Sequence, residues 1–163
     1  MTRPLWAPWR LEYIEHAGKD GECVFCTEAE GGVPEQTSLV VRRNAVAFAL
    51  LNKFPYSSGH LMVAPLRHVG ALGELTDDEA LGLHRLSVAS ANALARAYGP
   101  DGFNLGWNIG RAAGAGITGH VHLHVVPRWS GDTNFMPVLA DVKILPEHLL
   151  ATRDRLREVW ATA

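Results

Sequence analysis

The run His120-Val121-His122-Leu123-His124-Val125 alternates imidazole with aliphatic side chains, and Gly110, Gly114, Gly116 and Gly119 come just before it. Successive side chains of a β-strand point to opposite faces, so this run predicts a strand with Val121, Leu123 and Val125 in a core. Its other face then carries three imidazoles side by side. Histidine costs stability when buried without partners, so filler is a poor explanation of that face. The glycines let backbone N–H groups approach an anion closely, because nothing beyond Cα obstructs it. Nucleophilic rings beside such a loop point to chemistry on phosphorus. A metal site built from the three rings and a purely structural strand are the alternatives, and neither calls for the glycine loop. His16, His84 and His148 stand outside the run and read as ordinary surface or core residues.

The 163-residue chain suits one domain with a real core, with 47% apolar and 20% charged residues. A formal charge of −2 gives no basic field for nucleic acid, so a phosphorylated small molecule must be held by local groups. No stretch is long enough to span a bilayer, and Met1-Thr2-Arg3-Pro4-Leu5-Trp6 lacks the apolar core of a signal peptide, so a cytoplasmic protein without membrane or nucleic-acid partners is expected.

Cys23 and Cys26 form a C-x-x-C pair. A disulfide suits a cytosolic chain poorly. A thioredoxin-like redox pair wants a βαβ context, whereas an acidic, Gly-rich turn follows here. Zinc is the better reading, although two thiolates make half of a tetrahedral site; His68 and His120 are the candidates for the rest. An idle pair of buried thiols is the alternative.

Along the chain, residues 1–37 read as an irregular N-terminal arm bearing the cysteines, 38–138 as a catalytic core and 139–163 as a C-terminal strand and helix. Ser38–Arg43 and Ala45–Leu51 are expected to pair as antiparallel strands broken at Asn44, with Gly59–Pro65 as the next strand. Thr76 and Glu79 form a capping box, Asp77 and Asp78 suit the positive helix end, and Gly99-Pro100 stops the helix. Phe103–Asn108 and His120–Pro127 read as neighbouring strands, and Pro146–Trp160 as a second helix with Pro146 in its first turn. The expectation is one α+β domain, an antiparallel sheet with a long and a C-terminal helix on one face.

His120-Val121-His122-Leu123-His124-Val125-Val126 resembles the signature of the histidine triad superfamily. Phe48-Ala49-Leu50-Leu51-Asn52 and Gly59-His60-Leu61-Met62-Val63-Ala64-Pro65-Leu66-Arg67 are similar to the nucleotide-binding half of the fragile-histidine-triad hydrolases. His124-Val125-Val126-Pro127-Arg128-Trp129, with Gly131-Asp132 and Asn134-Phe135, resembles the bacterial branch that includes diadenosine tetraphosphate phosphorylases. The resemblance runs from about Leu39 to Val138.

That resemblance implies roles. His122 would be the nucleophile, attacking phosphorus as a neutral ring whose other nitrogen is protonated and hydrogen-bonded. His124 would donate to phosphate oxygens, and His120 would orient the site or belong to the metal. Asn52 matches the family's ribose contact, its alternative being a turn residue before Pro55. Asn108 and Gly110 match the opening of the phosphate loop, the alternative for Asn108 being a satisfied strand-end amide. Gly114, Ala115, Gly116 and Ile117 complete that loop, with one departure. Hydrolytic relatives carry Gly-Gln and Ser or Thr where this chain has Ala115, Gly116 and Ile117. The missing glutamine leaves room for inorganic phosphate in place of water, and Arg111 or Arg128 would hold it, although Arg128 equally suits a salt bridge. Trp129 and Phe135 would stack a base or pin the tail, the latter favoured. Zinc on two cysteines and two histidines occurs in part of the family, and no organic cofactor is implied. A homodimer through the sheet and long helix is implied as well.

The leading reading is nucleotidyl transfer on a dinucleoside polyphosphate, diadenosine tetraphosphate, through a nucleotidyl-His122 intermediate with phosphate as acceptor. The alternatives are a hydrolase or nucleoside phosphoramidase on the same scaffold, and a non-enzymatic nucleotide- or metal-binding protein.

Overall fold

A computed structural model describes residues 23–132 and 147–162. Five antiparallel strands form one sheet: β1 (Val40–Arg43), β2 (Ala47–Leu51), β3 (Leu61–Pro65), β4 (Gly102–Trp107) and β5 (Leu123–Arg128), in the order β1-β2-β3-β5-β4. Helix α1 is Val24–Ala29, α2 is Asp77–Tyr98 and α3 is Leu149–Ala161. The fold is α+β, as the sequence predicts. Strands β1, β2 and β3 start two residues later than expected and end where expected, and β4 is shifted one residue towards the N-terminus. Strand β5 starts at Leu123 and ends one residue beyond Pro127, so His120 and His122 precede the strand expected to carry all three imidazoles on one face.

Period-two alternation sorts the sheet residues between two cores. Ala47, Ala49, Leu51, Leu61, Val63 and Val125 meet Leu83, Leu86 and Leu94 of α2 and Leu156 of α3. Phe48, Leu50, Met62 and Ala64 point the other way and pack with Phe25 of α1. Both faces are therefore covered where β2 and β3 run, and every residue of those strands is buried. This corrects the expectation of helices on one face only. The second face has its own short helix, and the triad lies beside it.

The long helix begins as its sequence dictates. Thr76 Oγ1 accepts from the Glu79 amide at 3.2 Å, and the Glu79 carboxylate accepts from the Thr76 amide at 2.9 Å. Gly99 ends it in the left-handed region at φ 55°. Gly82 lets α2 lie close on the sheet, since a Cβ there would meet Val46 Cγ2 at 2.2 Å.

Helix α1 replaces part of the expected irregular arm. Its end is a Schellman closure: the Gly32 amide donates to Thr27 O at 2.8 Å and the Gly31 amide to Glu28 O at 3.3 Å, with Gly31 at φ 75°. The Gly31-Gly32 pair thus stops a helix and is not merely a turn. Helix α3 starts at Leu149, capped by His148, whose ring accepts from the Leu150 amide. It begins later than expected, and Pro146 lies outside the described residues, as do Trp6, Trp9, His16, Asn134 and Phe135.

Candidate active site and metal cluster

His122 and His124 line an open cleft with Asn52, Phe54, Tyr56, Met62, Gly114 and Gly116. The sheet register explains how they meet. On β5, His124 sits opposite Met62 of β3 on one side and Gly106 of β4 on the other. Gly106 has open space where a Cβ would stand, so nothing from β4 crowds the imidazole.

Hydrogen bonds assign the protons on these rings. His122 Nδ1 lies 2.9 Å from the carbonyl oxygen of His120. A carbonyl only accepts, so Nδ1 carries the hydrogen and the neutral ring keeps its lone pair on Nε2. Burial lowers the His122 pKa, which favours that neutral ring.

The same logic extends to His60, a residue that the sequence does not single out. The Tyr56 amide donates to His60 Nδ1 at 3.0 Å, and the Asn52 amide nitrogen lies 3.4 Å from the same atom. Neutral His60 then has its hydrogen on Nε2, 2.9 Å from His124 Nδ1. His124 accepts there and presents Nε2–H; Asn108 Nδ2, itself a donor, lies 3.3 Å from that nitrogen, so Asn108 bonds this tautomer only with its amide turned to present Oδ1. His60 is fully buried, and Tyr56 stacks on it at 4.6 Å between ring centroids. His60 occurs in the sequence inside an apolar strand motif, 64 positions from His124; the one available signal is a histidine opening a strand that is otherwise aliphatic.

The remaining expected residues divide. Asn52 lines the cleft while its Oδ1 accepts from the Phe54 amide at 2.9 Å, so the turn reading and the cleft reading both hold geometrically. Gly114 and Gly116 line the cleft, Ala115 is buried, and Ile117 packs on the Phe25 cluster. Gly110 and Gly114 take φ values of 80° and 86°, where glycine is favoured. Arg128 is committed elsewhere, pairing with Asp132 through Nε at 2.5 Å and Nη2 at 2.8 Å and donating to Asn104 at 2.8 Å. Arg111 is exposed on the 3₁₀ turn Arg111–Ala113 that enters the loop. The aromatic residues on the cleft are Phe54 and Tyr56; Trp129 is not among its lining residues.

His120 turns away from the cleft. Its Nδ1 lies 3.4 Å from Cys23 Sγ and 3.7 Å from Cys26 Sγ, and His68 Nδ1 lies 3.1 Å from Cys26 Sγ. All four donor atoms lie within 4.8 Å of one another. A tetrahedral zinc with Zn–S of about 2.3 Å and Zn–N of about 2.0–2.1 Å sets adjacent sulfur and nitrogen about 3.6 Å apart, so the four donors fit such an ion. The tautomer agrees. His120 Nε2 donates to Pro65 O at 3.0 Å, leaving the Nδ1 lone pair for the cluster. Burial holds the His120 pKa down to about 4, a neutral ligand's state. Burial and the adjacent Cys23 push the Cys26 thiol up to about 11, crowding that a dication would relieve.

A model of the HIT domain matches residues 33–131. The chain belongs to the HIT (histidine triad) family. Among HIT proteins, it is 36% identical over 163 residues to an AP-4-A phosphorylase of Mycobacterium tuberculosis, covering 96% of this chain and 84% of that one. It is 27% identical to an adenosine 5'-monophosphoramidase of Schizosaccharomyces pombe, covering 82% of this chain and 95% of the relative. A Zn-bound histidine triad family protein from Mycobacterium smegmatis superposes with a TM-score of 0.70 at 26% identity, covering 87% of this HIT chain and 95% of that one.

Proposed function

We propose that this chain transfers a nucleotidyl group from a dinucleoside polyphosphate, diadenosine tetraphosphate, to inorganic phosphate through a nucleotidyl-His122 intermediate. The observation that carries the reading is the His122 tautomer: Nδ1–H bound to a backbone carbonyl, Nε2 bearing its lone pair, in a cleft shared with the loop glycines. The mycobacterial relative supports the substrate class.

In the first step Nε2 of His122 forms a bond to the α-phosphorus, and the P–O bond to the departing ATP breaks. His124 presents Nε2–H to phosphate oxygens as charge moves there, held in that tautomer by His60. Gly114, Gly116 and Asn52 line the same cleft, and in this reading the loop amides donate to the same oxygens while Asn52 takes a ribose hydroxyl. In the second step a phosphate oxygen attacks the phosphorus of the intermediate, ADP departs, and His122 regains its lone pair. Of the two arginines that the sequence offers for the incoming anion, Arg111 takes it in this reading, since Arg128 is paired with Asp132. Phe54 and Tyr56 offer faces for a base.

Cys23, Cys26, His68 and His120 hold zinc in this reading. Four protein ligands leave no open position for water, so the ion would act structurally, tying α1 to the sheet. Reduced thiols of this kind suit the cytoplasm. A homodimer is supported by the surface. Among the described residues β4 is an edge strand with exposed Leu105, Ile109 follows it, and α2 exposes Leu81 and Val88. No helix of the described residues is long and apolar enough to cross a membrane.

The phosphoramidase relative favours hydrolysis as the second reading. Products decide between them. Phosphorolysis of diadenosine tetraphosphate yields ADP and ATP and accelerates with added phosphate, whereas hydrolysis yields AMP and ATP. Gly116→Gln places an amide that can hold water and shifts products towards AMP by about tenfold or less, the scale of one hydrogen bond at about 0.5–1.5 kcal/mol. AMP formed at one rate with and without phosphate would replace the phosphorylase reading by the hydrolase one.

A further inference from the structure

Phe25 lies between the two cysteines on α1, is fully buried, and reaches under the triad. Its ring centroid is 4.7 Å from that of His122, with the planes 36° apart, and 5.1 Å from that of His120. Phe48 of β2 meets it edge-on at 6.4 Å. His122 has its other neighbour in His124, T-shaped at 4.9 Å. Among the described residues, the His122 imidazole is therefore confined by an aromatic ring, a second imidazole and one hydrogen bond from Nδ1.

That hydrogen bond alone permits the ring to swing about Nδ1, which displaces Nε2 from the line of attack. The aromatic face limits the swing only if α1 itself is held, and several groups hold it. The cysteines flanking Phe25 meet His68 and His120. The buried Glu28 carboxylate accepts from Ser38 Oγ at 2.7 Å and the Leu39 amide at 3.3 Å. Arg43 donates to the carbonyls of Ala29 and Glu28 at the helix end. The segment that follows is held in turn by Arg153 of α3, which donates to the carbonyls of Glu35, Gln36 and Ser38.

We propose that Phe25 is a positioning residue for the transfer step, setting the orientation of the His122 ring through its packed face. The inference rests on His122 being the nucleophile. A reacting atom displaced by about 1 Å can lose on the order of 10²-fold in rate, so small changes in this packing register in turnover. A ground-state ligand is held by the cleft lining, to which Phe25 does not belong. Substituting Phe25 should therefore separate rate from binding.

The test compares Phe25→Leu and Phe25→Met with the parent and with His122→Ala, using diadenosine tetraphosphate and phosphate, and measuring kcat, KM, affinity for a non-cleavable analogue, metal content and Tm. Leu and Met keep an apolar filling without a planar face, and the two variants guard against one failing to fold. The expected result is a fall in kcat of about tenfold or more with analogue affinity within twofold and metal retained. A kcat within twofold of the parent overturns the proposal, as does a fall in kcat matched by equal loss of affinity or of folded protein. His122→Ala separates the two layers of the argument. Parental turnover in that variant overturns the nucleophile assignment, whereas an inactive His122→Ala beside an unimpaired Phe25→Leu overturns only the role of Phe25.

Discussion

His120 and His122 are two residues apart, both buried, and they take opposite tautomers. His120 gives its Nε2–H to Pro65 O and turns Nδ1 towards two sulfurs. His122 gives its Nδ1–H to His120 O and keeps Nε2 for the cleft. Neither ring chooses its role by identity. The carbonyl that each one meets selects the nitrogen left with a lone pair, and the surroundings of that nitrogen divide the two proposed roles, ligand and nucleophile. The contrast extends to the wider surroundings. At the cluster end four donors crowd together at the start of α1, at His68 and at His120, whereas the other end opens onto the glycines of the loop.

The strongest way to break this division is His122→Ala. Turnover of diadenosine tetraphosphate should fall by at least about 10³-fold, because a covalent nucleophile has no understudy. Nucleotide affinity should stay within about tenfold, or 1.4 kcal/mol, since His124 and the loop share the ground-state contacts. Metal content should not change. Loss of metal from the variant, measured by atomic emission, would place His122 with the cluster and collapse the distinction.

Removing the metal probes the other end. Chelation, or Cys26→Ser, should lower the melting temperature, because binding free energy at a structural site is folding free energy. A loss of about 3 kcal/mol corresponds to on the order of 10 °C in a chain this size. Scanning calorimetry with and without chelator reads it directly. A chelator concentration that stops turnover while leaving the melting curve in place would move the metal into the chemistry.

The smallest effect sharpens the comparison from an ion pair that belongs to neither end, although Arg67 adjoins His68 in the chain. Glu79 caps α2 and pairs with Arg67 at 2.8 Å, and the Arg67 and Thr76 hydrogen bonds hold its carboxyl down to about 2 from 4.5. A group depressed in the folded state binds fewer protons than in the unfolded chain. Its stabilisation is complete above about pH 4.5 and is lost as pH falls towards 2. Glu79→Gln should flatten that acid limb, costing at pH 7 about 1 kcal/mol, a helix cap's scale, or about 2–4 °C. Thermal melts from pH 7 to pH 3 provide the measurement. An acid limb of equal steepness in the variant would assign acid sensitivity to other groups.

Local signals specify much of this molecule. The alternation around Leu123 and Val125, the Thr76–Glu79 box and the Gly99 stop depend on neighbours within a few positions, so the amino-acid order alone makes them legible. The cluster of Cys23, Cys26, His68 and His120, which could hold a metal, is legible too, since a metal-binding C-x-x-C needs two more ligands and histidines are at hand. Helix α1 is not legible: six residues give too little periodicity, and much of what stabilises it comes from distant partners, Ser38, Arg43 and His120. His60 is hidden for the same reason. Its role exists only because β3 pairs with β5 and brings residues 64 positions apart to 2.9 Å. The sequence alone determined which residue types stand at the site and that one short segment carries them, although only His124 of the three lies on β5. The tertiary structure decided which nitrogen each imidazole keeps free, because a tautomer is set by hydrogen-bond partners that the fold, and not the neighbouring residue, supplies.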